Sequence, residues 1–167
     1  SFLLAATNTG RLASSDPNLQ NIPIKTDDGR EIRKAFIAEK NNILISADYN
    51  QIEMRILADL AEVKELQKAF LNKEDIHVLT ASQVFNIPIK KVDENLRRKA
   101  KTINFGIIYG ITQYGLAKQI SVSNQEALDF INSYFKKFPE IKDYMEKTIK
   151  FCRKNGYVNN IFGRRIH

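Results

Sequence analysis

The spacing of the apolar residues changes near residue 50, and this change constrains the fold more than any other feature of the chain. Ile43, Ile45 and Ala47 occupy every second position, which predicts a β-strand. From Gln51 onward the apolar residues recur every three or four positions, which predicts an amphipathic helix. We therefore expect an α+β fold that is mostly helical, with a short antiparallel strand pair within residues 31–48.

The remaining segments are predicted from residues that favour turns and helix ends. Residues 7–30 are rich in Thr, Asn, Ser, Asp, Gly and Pro, and they predict an extended, ordered loop. A turn at residues 40–42 should separate the two strands, Asp93 is a candidate N-cap, and Gly156 is a candidate helix stop. Helices are predicted for residues 51–63, 76–85, 93–109, 115–120, 125–138 and 139–154, with no linker that would divide the chain into independent domains.

The chain is basic and contains a single cysteine. Its 26 Lys and Arg against 19 Asp and Glu give a formal net charge of +7, which favours polyanionic partners such as nucleic acid or nucleotides, although many basic domains bind neither. Cys152 alone excludes an internal disulfide and a cysteine-based zinc cluster, as is typical of the reducing cytoplasm. The opening apolar run is far too short to span a membrane, so we expect a cytoplasmic monomer without a membrane partner.

The stretch SADYNQIEMR, residues 46–55, places two carboxylates at the predicted junction of strand and helix. Asp48 ends the strand, where a rigidly held carboxylate suits a hard cation such as Mg²⁺ that prefers oxygen ligands and keeps several waters. An isolated aspartate can equally do no more than end a strand. Glu53 also has a structural interpretation, because Asn50 and Glu53 are spaced as in a capping box.

Cations and aromatic residues share one stripe of the helix predicted for residues 93–109. Arg97, Lys101, Phe105 and Tyr109 recur every four residues, and each such step turns a helix by roughly 400°. Positive charge beside flat rings is what a nucleoside triphosphate requires, although a solvated basic flank with core aromatics gives the same pattern. Two glycines inside and after this helix favour close approach by another group or a bend, and the chain contains neither GxxxxGK[ST] nor GxGxxG.

Long segments of the sequence resemble the family A DNA polymerases. DYNQIEMR resembles their motif A and RRKAKTINFGIIYG their motif B. TGRLASSDPNLQNIP, EDIHVLTA and GYVNNIFGRR resemble further family segments in the same order and with similar spacing, so the likeness covers nearly the whole chain. Asn50 and Met54 replace the usual Ser and Leu of motif A, and both changes are mild.

The resemblance implies template-directed DNA synthesis, in which nucleotidyl groups pass from deoxynucleoside triphosphates to the 3′-hydroxyl of a primer. It implies that Asp48 is one of two aspartates that hold two Mg²⁺ ions, and that the Tyr49 carbonyl is a neighbouring ligand. Lys101 would bind the triphosphate and act as a general acid toward pyrophosphate. The implied partners are primer–template DNA and deoxynucleoside triphosphates.

The resemblance also assigns nucleotide-binding roles beyond Lys101. Arg97 and His77 would contact the triphosphate, Phe105 would pack on the incoming sugar, and Tyr109 would lie near the template base. Glu53 would lie under the sugar, where it would crowd a ribose 2′-hydroxyl and so favour deoxynucleotides. A fingers helix of this kind rotates to close over a correct nucleotide.

The segment near the start of the chain would bind DNA. By the resemblance, Arg11, Gln20 and Asn21 lie along the primer–template duplex near its growing end, where contacts carry little sequence information. The resemblance further implies a partial polymerase domain over residues 1–167. Its expected parts are a palm segment at about 1–60 with motif A, a helical fingers subdomain at about 61–155 with the motif B helix at 93–109, and a return toward the palm at about 156–167. The short antiparallel strand pair would then be part of a larger palm sheet.

One family motif is missing from the sequence. Motif C, a His-Asp-Glu turn that brings the second metal-binding aspartate, should follow GYVNNIFGRR, but the chain stops at His167. We therefore expect a palm and fingers fragment without turnover of its own, since one aspartate cannot hold two cations about 3.5–4 Å apart. The alternatives are a DNA- and nucleotide-binding module and, from a third class, a basic helical protein that binds RNA nonspecifically.

Overall fold

The structure is a computed structural model in which residues 1–24 and 26–167 are described. The chain forms two compact units, the first made of residues 1–48 and 151–167 and the second of residues 49–150. The described residues contain eight α-helices and two antiparallel strand pairs, which confirms the mostly helical α+β class. The helices are α1 (Asp27–Arg33), α2 (Ile52–Leu60), α3 (Lys64–Leu71), α4 (Ile76–Val84), α5 (Glu94–Ile108), α6 (Gln113–Ile120), α7 (Asn124–Lys137) and α8 (Pro139–Asn155).

Both strand pairs belong to the first unit and consist of two-residue strands. β1 (Phe2–Leu3) pairs with β2 (Ala13–Ser14), and β3 (Val158–Asn159) pairs with β4 (Arg165–Ile166). The β3–β4 turn is held by Asn160, whose side-chain oxygen accepts hydrogen bonds of 2.9 Å from the backbone N–H groups two and four residues later. The antiparallel pairing that we expected is therefore present, but at other positions in the chain.

The prediction of a first strand within residues 31–48 is wrong. A helix that begins at residue 27 includes residues 31–33, and a turn follows it. Thr26 caps α1 by accepting a hydrogen bond of 3.1 Å from the Gly29 N–H. Asp27 and Asp28 add negative charge to the first turn, where the helix dipole favours it. Local capping thus outweighs the strand propensity of the residues that follow.

The second predicted strand, at residues 43–48, forms neither a helix nor a paired strand in the structure. The expected turn before it is confirmed, because the Asn42 N–H donates to the Glu39 carbonyl at 2.9 Å. Ile43 and Ile45 are 81% and 83% exposed, and Leu44 between them is 66% exposed, so both faces are open. Alternation predicts an extended conformation, but a strand also requires a partner for its backbone hydrogen bonds.

The loop predicted for residues 7–30, of which residue 25 lies outside the described residues, contains short regular elements. It includes β2, a 3₁₀ turn at Leu19–Asn21 and the start of α1. Ser14 ties the turn to the strand: its hydroxyl donates to the Pro17 carbonyl at 3.2 Å and accepts from the Leu19 N–H at 3.1 Å. Side-chain to backbone bonds of this kind are what the polar composition of the segment favours.

The second unit contains the main hydrophobic core. Helix α4 packs against α5 and α7, α6 packs against α7, and α2 packs against α3. The other helices of this unit bury one face and expose the other, as their apolar spacing predicts, whereas α4 has no exposed residue. The largest fully buried apolar side chains are those of Met54, Val63, Leu66, Ile76, Ile103, Leu116, Tyr134, Phe138 and Ile141.

Most helices of the second unit lie where the sequence predicts them, and their ends have identifiable causes. Asp93 caps α5 by accepting from the Leu96 N–H at 2.7 Å, as expected. The helix predicted for residues 51–63 is shorter, because Glu62 adopts a left-handed φ of +55° and ends α2. Helix α3 follows and was not predicted as a separate element. Gly156, with a φ of +79°, follows α8 as the expected stop.

None of the helices formed by the described residues is long and apolar enough to cross a membrane.

Helix α3 offers a matched test of the core. Leu66 is 0% exposed and Leu71, on the same helix, is 81% exposed. We expect Leu66→Ala to lower the free energy of unfolding by about 2–5 kcal/mol, because it removes buried methyl groups and leaves a cavity. Leu71→Ala should change it by less than about 0.5 kcal/mol. Urea denaturation followed by circular dichroism measures both, and equal losses would contradict this assignment of the core.

Candidate functional site

The residues Arg97, Lys101, Phe105 and Tyr109, which we call the α5 stripe, lie on the accessible side of α5. Arg97 and Phe105 are half-buried, and Lys101 and Tyr109 are exposed. The opposite side of the helix is buried through Ala100, Ile103, Asn104 and Ile107. A cleft of about 440 Å³ runs beside the stripe, and Lys101, Phe105 and Tyr109 all line it. The stripe is therefore open to a ligand and is not part of the core.

The N-terminus of α4 is joined to the stripe through Asp75. One carboxylate oxygen accepts from the backbone N–H groups of His77 and Val78 at 2.9 and 3.2 Å and so caps α4. The other oxygen accepts from Arg97 Nε at 2.7 Å. Burial by itself would raise the pKa of Asp75, but the hydrogen bonds from Arg97 and the two N–H groups outweigh it and lower the pKa. The charged carboxylate thereby holds the guanidinium beside the helix start.

His77 is buried between α4 and α5 in a chain of hydrogen bonds. It is 1% exposed, and Asn104 and Thr80 are 0% exposed. Asn104 Nδ2 lies 3.0 Å from His77 Nδ1, and both amide atoms of Asn104 lie 3.1–3.2 Å from the Thr80 hydroxyl. The other ring nitrogen, His77 Nε2, lies 3.3 Å from Nε2 of Gln51. His77 also packs at a tilt against Phe105, with 6.0 Å between the ring centroids.

This environment keeps the imidazole neutral near pH 7. Burial lowers the pKa of His77 from 6.5 to about 4; Asp75 opposes the change, and the charges of Arg97 and Lys101 add to it. If His77 meets a phosphate, it does so as a neutral N–H donor, and the positive charge comes from Arg97 and Lys101. The sequence resemblance did not reveal this division of roles.

Glu53 does not form the expected capping box. The N-cap of α2 is Gln51, in a left-handed conformation with φ of +56°, and no side chain caps this helix. Glu53 instead accepts a hydrogen bond of 3.5 Å from the Tyr109 hydroxyl at the end of α5. The prediction from spacing was wrong because the chain turns into the helix at Gln51, one residue later than a box at Asn50 requires.

The two glycines of α5 are explained by packing and by conformation. A Cβ atom on Gly106 would lie 2.8 Å from Ile111 Cγ2, so only glycine lets the following segment pack this closely. Gly110 has a φ of +68°, a region that favours glycine, and it lies just beyond the helix end. The close approach that we expected at Gly106 is thus made by the chain itself.

Of the other predicted site residues, Arg11, Gln20, Asn21 and Asp48 belong to the first unit, and Tyr49 begins the second. Asp48 and the neighbouring Tyr49 are exposed, Tyr49 to 81%. Arg11, Gln20 and Asn21 are exposed residues of the first unit. Gln20 Nε2 donates to the Leu12 carbonyl at 3.2 Å, and the Arg11 carbonyl accepts from the Thr7 hydroxyl at 2.7 Å.

Three residues of the site were not predicted from the sequence. The N-cap role of Asp75 could have been predicted, because an Asp just before an apolar helical run signals an N-cap. Asn104 could have been predicted as a buried, hydrogen-bonded residue, because it is the one polar member of the face formed with Ala100, Ile103 and Ile107. Gln51 gave no signal, because its role depends on a left-handed turn and on His77, 26 residues away.

Oxygen ligands for a metal ion are available but not clustered. Among the residues that the structure describes, no three His, Cys, Asp or Glu side chains come together in a way that could hold a metal ion. The Asp48 carboxylate and the Tyr49 carbonyl are hard oxygen donors, which fits Mg²⁺ in kind. They would have to be supplemented by waters, by phosphate oxygens or by further protein ligands.

The neutral state of His77 predicts how stability depends on pH. The pKa of His77 is about 4 in the folded protein and near 6.5 in the unfolded chain, so only the unfolded chain binds a proton between these values. The His77 contribution is fully present above pH 6.5 and is lost as the pH falls toward 4. We expect the urea midpoint to fall over this range, and to fall less in His77→Gln. A midpoint equally pH-dependent in both proteins would contradict the buried neutral ring.

Comparisons with known proteins bear directly on this site. The sequence profile of DNA polymerase family A matches residues 1–167. The chain is 55% identical over 167 residues to the DNA polymerase I of Rhizobium leguminosarum, and 48% identical over 164 residues to the thermostable DNA polymerase I of Thermus thermophilus. The two matches include 100% and 98% of this chain but only 16% and 20% of the relatives. The chain therefore spans about a fifth of their length or less.

A solved structure agrees with the sequence comparisons. The POL domain of Pol1 from M. smegmatis, in complex with DNA primer-template and dNTP, matches 99% of this chain with a TM-score of 0.88 and 42% sequence identity. The match covers 30% of that chain. Since the family profile spans every residue and the relatives share about half of them, the chain belongs to DNA polymerase family A.

Proposed function

We propose that this chain supplies the nucleotide-binding part of a DNA-directed DNA polymerase, which transfers nucleotidyl groups from deoxynucleoside triphosphates to a primer 3′-hydroxyl. The observation that carries the proposal is the accessible α5 stripe, in which two cations precede two aromatic side chains beside a cleft of about 440 Å³. The matching M. smegmatis structure contains primer-template DNA and dNTP, which supports the same ligands here. In this proposal residues of about 1–60 are palm, about 61–155 are fingers and about 156–167 return toward the palm.

The stripe has the chemistry that a triphosphate requires. Arg97 keeps a firm positive charge, because its hydrogen bond with Asp75 raises its pKa. Lys101 is exposed one turn further along the helix and offers a mobile charge to the phosphates and a proton to the departing pyrophosphate. Phe105 offers a flat face to the sugar, and the hydrogen bond between Tyr109 and Glu53 would border the sugar and the template base. Glu53 would then crowd a ribose 2′-hydroxyl and favour deoxynucleotides.

Metal chemistry would depend on Asp48 and Tyr49. Their oxygen donors would hold Mg²⁺ together with ligands from elsewhere, and the bound ions would make the primer 3′-hydroxyl more acidic and stabilise the charge on the phosphates. The side chains of this chain would orient the triphosphate so that its α-phosphate faces the primer. Arg11, Gln20 and Asn21 would contact the duplex, and the net charge of +7 suits a nucleic-acid partner.

A second candidate function is binding without turnover by the 167-residue chain itself. This candidate rests on the single aspartate, Asp48, that the resemblance assigns to the metal ions within these residues. The two proposals agree on nucleotide binding and differ only on catalysis. They can therefore be tested separately.

Nucleotide binding can be tested with two lysines of α5. Lys101 belongs to the stripe, whereas Lys99 lies about 200° away around the helix. We expect Lys101→Ala to weaken the binding of dATP with Mg²⁺ by about tenfold or more, because a charge-assisted contact to phosphate is lost. Lys99→Ala should bind within about twofold of the unchanged chain. Calorimetric titration measures both affinities, and equal weakening would show that only the overall charge matters.

Catalysis can be tested in a longer natural protein that contains this segment. With primer–template DNA, Mg²⁺ and deoxynucleoside triphosphates, Asp48→Ala should abolish primer extension while leaving DNA binding intact. Asp59→Ala, at an exposed position of α2, should retain extension. The 167-residue chain alone should bind nucleotide and extend no primer. Full extension by the Asp48→Ala protein would overturn the catalytic assignment and leave the binding proposal standing.

A further inference from the structure

A buried polar cluster lies between α4 and α5 behind the α5 stripe, and the resemblance gives a role to only one of its three members, His77. The cluster consists of Thr80, Asn104 and the imidazole of His77, all at most 1% exposed. Polar groups at such depth destabilise a fold unless every hydrogen bond is satisfied. The arrangement of protons within the cluster is therefore strongly constrained.

Each nitrogen of the His77 ring faces an amide nitrogen, and a neutral ring cannot form hydrogen bonds with both of them. Asn104 Nδ2 lies 3.0 Å from Nδ1 of the ring, and Gln51 Nε2 lies 3.3 Å from Nε2. A neutral imidazole accepts at one nitrogen and donates at the other, so it cannot accept from two amides. One of the two amides must present its oxygen to the ring.

The surroundings of Asn104 decide which amide turns. With Nδ2 toward His77, one amide hydrogen reaches Nδ1, the other reaches the Thr80 hydroxyl oxygen at 3.1 Å, and Oδ1 accepts from that hydroxyl at 3.2 Å. Turning Asn104 over would leave one buried N–H without an acceptor, which costs about 1–3 kcal/mol. Gln51 is half-buried, and its amide can turn at little cost.

We propose that Asn104 is a positioning residue that fixes His77 in the tautomer with its hydrogen on Nε2, the nitrogen that faces Gln51. Asn104 donates to Nδ1 and so leaves Nε2–H as the one hydrogen-bond donor of the ring. The Gln51 side-chain oxygen accepts this hydrogen in the absence of a ligand. The next step rests on the proposed function: a nucleotide phosphate would replace the Gln51 oxygen as the acceptor of the hydrogen on His77 Nε2.

The charged groups around the ring are consistent with a neutral donor. Asp75, at the start of α4, attracts a proton to the ring, and Arg97 and Lys101 on α5 repel one. A protonated His77 would be a third cation beside Arg97 and Lys101 and would be repelled by both. A neutral ring instead donates one hydrogen bond in a fixed direction. Gln51 and Arg97 line the same cleft of about 540 Å³, which gives a phosphate room near the Gln51 amide.

Nitrogen NMR tests the tautomer directly, because the chain contains only two histidines, His77 and His167. The chain is labelled with ¹⁵N-histidine, and His167→Gln identifies the His77 signals. At pH 7 we expect Nε2 to show the shift of a protonated imidazole nitrogen and Nδ1 that of an unprotonated one. A hydrogen on Nδ1, or an imidazolium ring, would overturn the proposal.

Two variants connect the tautomer to binding. Asn104→Asp replaces the donor by a carboxylate that only accepts, so the hydrogen should move to Nδ1, and dATP binding with Mg²⁺ should weaken by about tenfold. Asn95→Asp adds the same charge at an exposed position of α5 and should leave the His77 spectrum unchanged. Unchanged Nδ1 and Nε2 shifts in folded Asn104→Asp would overturn the role of Asn104.

The two arms separate this inference from the proposed function. If the unchanged chain shows Nε2–H but does not bind dATP, the nucleotide role fails and the assignment of Asn104 holds. If dATP binds and its affinity in folded Asn104→Asp equals that in Asn95→Asp, the positioning role toward the nucleotide is overturned. The wild-type spectrum decides the tautomer even if Asn104→Asp does not fold.

Discussion

The contact between α4 and α5 is the interaction on which the candidate site depends. Helix α5 buries Ala100, Ile103 and Ile107, and this buried face determines that the α5 stripe faces outward. Helix α4 brings His77 against the stripe from behind. Because packed helices resist small displacements, the backbone positions that carry the stripe are held in one arrangement before any ligand binds.

Two kinds of polar contact fix how α4 meets α5. At the accessible edge, Asp75 caps α4 and holds Arg97 of α5. Because this ion pair is half-exposed, it orients the guanidinium more than it stabilises the fold. In the interior, Asn104 joins the ring of His77 to the hydroxyl of Thr80. Burying such groups is favourable only when all of them are paired, so the cluster permits very few relative positions of the two helices.

The success of sequence reasoning followed the range of the interactions involved. Most helices of the second unit were predictable because amphipathic spacing and caps such as Asp93 are local signals, although α3 was not predicted as a separate element. The stripe was predictable for the same reason. The strand at residues 43–48 failed because pairing requires a partner, and α1 was missed because its cap at Thr26 lies within a segment typical of loops. The capping box failed because a left-handed Gln51 moved the start of α2 by one residue.

The sequence by itself determined the helical period, the cap at Asp93, the positions of Arg97, Lys101, Phe105 and Tyr109 on one face, and the resemblance to a polymerase family. Only the tertiary structure decided that His77 is buried, neutral and joined to Asn104, and that Asp75 holds Arg97 across 22 residues of chain. The reason is physical. Periodicity and capping depend on neighbours within a turn or two, whereas desolvation and the choice of hydrogen-bond partners depend on which distant helices pack together.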